Sequence, residues 1–136
     1  MTKEYWINLP IKDLKRSKKF FTEIGFSFKT ERETETMTAL VVGKASMPIM
    51  FFEEKMFENV VQNPISDASK VTELMISFDA ESKKEVDEMA EKVKNAGGNV
   101  FSEPQTIQGW MYGFAFSDLD GHRWNMLFMD MEKMPK

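Results

Sequence analysis

The sequence predicts an α+β protein made of two tandem βαβββ modules, and three features point there. A stripe at Leu14, Ser17, Phe21 and Ile24 stops at Gly25, and a second at Val86, Met89, Val93 and Ala96 stops at Gly97. Both step by three, four and three residues, which is one face of an α-helix closed by a residue free to adopt the left-handed conformation. Each helix follows an alternating apolar strand and precedes several further strands. With 136 residues, 42% of them hydrophobic, the chain has the length for one compact domain, spanning 1–136.

In the first module, about residues 3–54, Tyr5, Ile7, Leu9 and Ile11 alternate with Trp6, Asn8 and Pro10, the period-two signature of a strand with two different faces. Asp13 is placed to cap the first helix. Phe26 to Lys29 read as a second strand, the ERETET stretch as a solvated turn, Thr38 to Val42 as a third strand ending at Gly43, and Met47 to Glu53 as a fourth. The connection, residues 55–70, carries an Asn-Pro break, yet Met56, Phe57, Val60 and Val61 are too apolar for a passive linker. A short helical or lid-like segment packing over something is expected there.

The second module, about 71–130, opens with Glu73 to Asp79, where Leu74, Ile76 and Phe78 alternate with Met75 and Ser77. Ser82 and Glu85 form a capping-box pattern for the second helix. Strands follow at Asn99 to Phe101, Met111 to Phe116 and Arg123 to Met129. Asp118-Leu119-Asp120-Gly121 makes the tight turn before the last, with the glycine available for positive φ.

Composition excludes several functions. A net charge of −4 repels a phosphate backbone on average, and the basic cluster Lys12, Lys15, Arg16, Lys18 and Lys19 interleaves with the first helical stripe, as a solvated helix face does. No nucleic-acid partner is expected. No apolar run reaches the ~20 residues of a membrane span, and the opening residues read as a strand, so the expected location is the cytoplasm. The absence of cysteine removes disulfides and thiolate chemistry, in keeping with a reducing compartment. Twelve methionines and twelve phenylalanines fill a core or shape a deformable cavity.

Asn8-Leu-Pro-Ile-Lys-Asp-Leu14 with Ser17 and Phe20-Phe21, and Met111-Tyr-Gly113 followed by Phe116-Ser-Asp-Leu-Asp-Gly-His122-Arg-Trp124, resemble the vicinal oxygen chelate superfamily, in particular its glyoxalase and bleomycin-resistance-like members. The resemblance covers nearly the whole chain. It implies that the two modules' sheets curl into a cup with the helices outside, commonly within a homodimer. In metal-using members, four positions hold one divalent ion, and these map onto or near Trp6, Glu53, Met75 and Asn125. Only Glu53 is a good oxygen ligand, because an indole N–H has no lone pair, a thioether is soft and weak, and an amide oxygen carries little charge. No metal or other cofactor is therefore expected, the alternative being a divalent ion near Glu53.

The remaining candidates follow from alternation. Trp6 and Asn8 share one strand face, where the indole either stacks on a planar ligand or plugs the site. Asn125 and Trp124 point oppositely, so if Asn125 faces the cup then Trp124 is core. Trp110 and Tyr112, in the run Gly109-Trp-Met-Tyr-Gly113, set aromatic area beside backbone that a ligand can approach, or form a dimer contact. His122, the only histidine, reads as a turn residue, its alternative being an acid or base. The resulting expectation is a metal-independent protein binding a drug-like, partly aromatic or cationic small molecule through Trp6, Asn8, Glu53, Met75, Trp110, Tyr112 and Asn125. The alternative is a glyoxalase-like lyase or a dioxygenase with an atypical metal site.

Overall fold

Residues 1–44 and 47–135 are described by a computed structural model; Ala45, Ser46 and Lys136, inside the expected domain span, lie outside the described residues. The first unit, Met1–Asp67, contains β1 (Ile7–Ile11), α1 (Leu14–Glu23), β2 (Ser27–Lys29), β3 (Met37–Val41), β4 (Ile49–Glu53) and α2 (Glu54–Val61). The second, Ala68–Lys136, contains β5 (Met75–Ala80), α3 (Lys83–Asn95), β6 (Asn99–Ile107), β7 (Met111–Ser117) and β8 (Arg123–Met129). The boundary between the two units falls between Asp67 and Ala68.

Both units build the same sheet. The strand orders are β1-β4-β3-β2 and β5-β8-β7-β6, with the first pair parallel and the others antiparallel in each case. The repeated helical stripes thus reflect a repeated topology.

Helix α1 begins where predicted, the Asp13 carboxylate accepting from the Arg16 N–H at 3.1 Å. Leu14, Ser17, Phe20, Phe21 and Ile24 are buried, with the Phe21 ring 5.3 Å from Phe51 of β4, and Leu9, Ile11, Leu40 and Ile49 complete the core. Burying each of these leucine, isoleucine and phenylalanine side chains contributes roughly 1.5–3 kcal/mol. The basic residues of α1 lie on its other side, where Lys18 pairs with Glu33 at 2.7 Å and Lys19 with Glu23 at 3.8 Å.

In the second unit, Val86, Met89, Ala90 and Val93 of α3 are buried together with Phe114, Phe116, Trp124 and Met126. Phe116 and Trp124 are cross-strand partners whose rings stack at 6.2 Å, and Phe78 meets Trp124 edge-on at 6.3 Å. Trp124 is fully buried, as alternation with Asn125 requires.

Two elements differ from expectation. Strand β6 runs to Ile107 instead of ending near Phe101, because pairing with β7 resumes at Gln105 after register shifts on either side of Ser102. Pro104 lies in the interrupted stretch, where its missing N–H costs no ladder bond. The connection does form a helix, α2, but Met56, Val60 and Val61 are exposed and none of its residues is fully buried. It touches β1 and β4 of its own unit without fully burying any of its side chains.

Candidate functional site

A β-strand shows its residues alternately to two faces, so the buried positions tell which face meets the helix and which stays open. In the first sheet Leu9, Leu40 and Phe51 are buried against the helix side. The residues between them form the open side, where register aligns Asn8, Met50, Ala39 and Lys29 in one row and Pro10, Phe52 and Met37 in the next.

This open face holds a cavity of about 660 Å³ walled by Trp6, Met37, Ala39, Met50 and Phe52. Trp6, just before β1, is 55% exposed and stands at its side. Lys29, Glu31 and Arg32 bring charge to it, and none of the three has an ion-pair partner among the described residues. Glu33, also on the wall, is already engaged: Lys18 Nζ lies 2.7 Å away and the Thr38 hydroxyl donates to it at 2.6 Å. The hydrogen bond from Lys18, followed by that from Thr38, holds the Glu33 carboxyl below its ordinary value. An apolar floor with a tryptophan wall and a mixed-charge rim fits a planar ligand carrying a polar group.

Register separates the other candidates. Glu53 is the partner of buried Ile11, which puts it on the helix face, at the residue preceding α2 but without a side-chain capping bond, and not on the face with Trp6 and Asn8. In the second sheet Asn125 and Met75 lie on the open face, Asn125 beside Ser77, whose hydroxyl donates to its side-chain oxygen. Tyr112 lies on the opposite face. Its hydroxyl donates to Asp87 of α3 at 2.7 Å, its ring takes Lys83 Nζ at 5.6 Å, and the hydrogen bond to Asp87 raises its pKa. Trp110, half-buried in the β6–β7 turn, lines a small cleft with Tyr112 and Lys83, and its carbonyl accepts from Asp130 N–H at 2.9 Å.

His122 sits in a turn whose organiser is Asp118. The Asp118 carboxylate accepts from the N–H groups of Asp120 and His122 and from the Trp124 indole, each at 3.0 Å. Burial is the largest influence on this carboxyl and pushes its pKa up.

A family model described as Glyoxalase/Bleomycin resistance protein/Dioxygenase superfamily matches residues 5–126. The chain belongs to that superfamily. Among solved structures, a hypothetical protein from S. aureus is 37% identical, with a TM-score of 0.83 and 94% of each chain covered. The fosfomycin resistance protein FosX from Listeria monocytogenes shares the fold at 21% identity, TM-score 0.69 and 98% coverage of each chain. A lactoylglutathione lyase from Agrobacterium tumefaciens does so at 17%, 0.67 and 94% of each chain. No match was found among curated proteins.

Membership in the glyoxalase superfamily raises the question of its divalent metal. The four positions that the resemblance points to supply an indole, a carboxylate turned to the helix face, a thioether and an amide whose oxygen already accepts from Ser77. Among the described residues no three His, Cys, Asp or Glu side chains gather as a metal site would require. This donor set does not fit a divalent ion.

The open-face residues Met37, Met50, Phe52, Lys29 and Arg32 were missed in the sequence. The alternation of Met37 and Ala39 with Thr38 and Leu40 carried the signal, but β4, Ile-Met-Phe-Phe-Glu, is apolar on both sides and gives no contrast.

Proposed function

We propose that this superfamily member binds a small, partly aromatic molecule on the open face of its first sheet and holds it without a metal and without making or breaking a bond. The observation that carries this reading is the 660 Å³ cavity lined by Trp6 together with Met37, Met50 and Phe52. Adaptable thioethers mould to a flat apolar ligand, and the indole supplies stacking area. Lys29, Arg32 and Glu31 at its rim, with Asn8 on the same face, orient the ligand's polar groups. Met75 and Asn125 belong to the second sheet's open face, where Met75 adds apolar surface and Asn125 a polar amide. The donor chemistry at the metal positions supports a metal-free mode of action.

The same reading places the protein in the cytoplasm as a homodimer. The cysteine-free sequence supports the first, and the exposed Met56, Val60 and Val61 of α2 support the second. Among the described residues no helix is long and apolar enough to cross a membrane.

Equilibrium dialysis and tryptophan fluorescence against a chemically broad panel of planar aromatic compounds test the proposal. Saturable binding that is lost in Trp6→Ala and kept in Trp110→Ala is the expected result. Turnover of a bound compound, or binding indifferent to Trp6, would refute it.

A further inference from the structure

The second sheet's open face carries a feature the first lacks. Arg123 is the register partner of Met75 on β5 and of Ser117 on β7, while Asn125, two residues on, is the partner of Ser77 and Ala115. Alternation therefore puts the guanidinium, the Ser77 hydroxyl and the Asn125 amide on one face. The guanidinium carbon lies 4.2 Å from the centre of the Phe101 ring, and this contact orients the cation.

The Nε–H of Arg123 is buried and has no hydrogen-bond partner, the one such side-chain atom among the described residues. Among the described residues no carboxylate pairs with the group; Asp79, on the same face, is the partner of Leu127. A guanidinium cannot shed its charge to relieve this, so the unmatched donor calls for an acceptor from outside the chain. The neighbouring amide is turned to help: the Asn125 oxygen is taken up by the Ser77 hydroxyl, which leaves the NH₂ to donate.

We infer that Arg123, with Asn125 positioned by Ser77, forms an oxyanion-binding subsite on the second module's open face. The ligand group is a carboxylate or a phosphoryl oxyanion, held by the planar fork of Nε–H and an Nη–H and by the Asn125 amide. This subsite rests on the second module alone. It stands apart from the reading of the Trp6 cavity and does not depend on it.

The arginine Nε–H resonances of the whole protein, followed by ¹H–¹⁵N NMR, supply the test. Inorganic phosphate and acetate are titrated separately, with sodium chloride at matched ionic strength as the control. One Nε–H signal, assigned by its loss in Arg123→Lys, should shift saturably with phosphate, acetate or both and stay unmoved by chloride. Phosphate alone identifies a phosphoryl group, acetate alone a carboxylate. Asn125→Asp, which sets a negative charge beside the cation, should weaken binding about tenfold or more. If no Nε–H signal moves, or chloride moves it equally, the subsite is overturned. The wild-type titration decides this even where a variant folds poorly.

Discussion

The indole Nε1–H of Trp124 donates to Asp118 Oδ2 at 3.0 Å, tying the turn before β8 to the centre of the second module's core. The other oxygen of the same carboxylate accepts the backbone N–H groups of Asp120 and His122. One side chain therefore satisfies two turn amides and anchors the largest buried ring.

Asp118→Asn keeps the shape but sets an NH₂ against at least one of these donors. Leaving a buried donor unmatched costs about 1–3 kcal/mol. Urea unfolding followed by tryptophan fluorescence should show a loss of about 2–3 kcal/mol. An unchanged midpoint would mean that the turn and the core are not coupled.

Glu33 gives a pH signature. Its carboxyl is held below the ordinary 4.5, first by Lys18 and then by Thr38, so the folded state favours its ionised form. The stability it contributes is complete above 4.5 and is lost as pH falls through the lowered folded value. The stability difference between wild type and Glu33→Gln should be level around neutrality and narrow in acid. A difference that does not change with pH would contradict the pairing.

Two glycines with positive φ should respond unequally to alanine. At Gly25, φ is +104° and an added Cβ meets nothing within 4 Å, so only the backbone strain of about 1–2 kcal/mol applies. At Gly121, φ is +92° and the Cβ falls 2.5 Å from Ser69 N, a backbone clash added to the strain. Thermal unfolding should place Gly121→Ala well below Gly25→Ala, and equal melting temperatures would count against this packing.

Helix α3 depends on its cap. Ser82 Oγ accepts Glu85 N–H at 3.1 Å, and the Glu85 carboxylate reaches back to Glu81 N–H at 2.8 Å. Ser82→Ala should cost about 1 kcal/mol by chemical denaturation, and Ser82→Asp, which restores an acceptor, should recover most of it.

Much of the fold was legible in the chain. The stripes through Phe21 and Val93, the caps at Asp13 and Ser82 and the Asp118–Gly121 turn are local, because helical period and capping chemistry act over three or four residues. The far end of β6 was not, since Ser102 to Thr106 is polar and contains a proline, and only pairing with β7 holds it extended.

The candidate site was less legible. Alternation in the sequence established that Trp6 goes with Asn8 and that Trp124 opposes Asn125, because a strand's period of two is a property of the backbone. It could not say which face a doubly apolar strand shows to its helix. Pairing with Ile11 turned Glu53 to the helix side, and pairing with Phe128 under α3 turned Tyr112 toward Asp87. The Trp6 cavity and the unmatched Arg123 arise in the same way. Both depend on cross-strand neighbours far apart in sequence, which register brings side by side and local pattern does not encode.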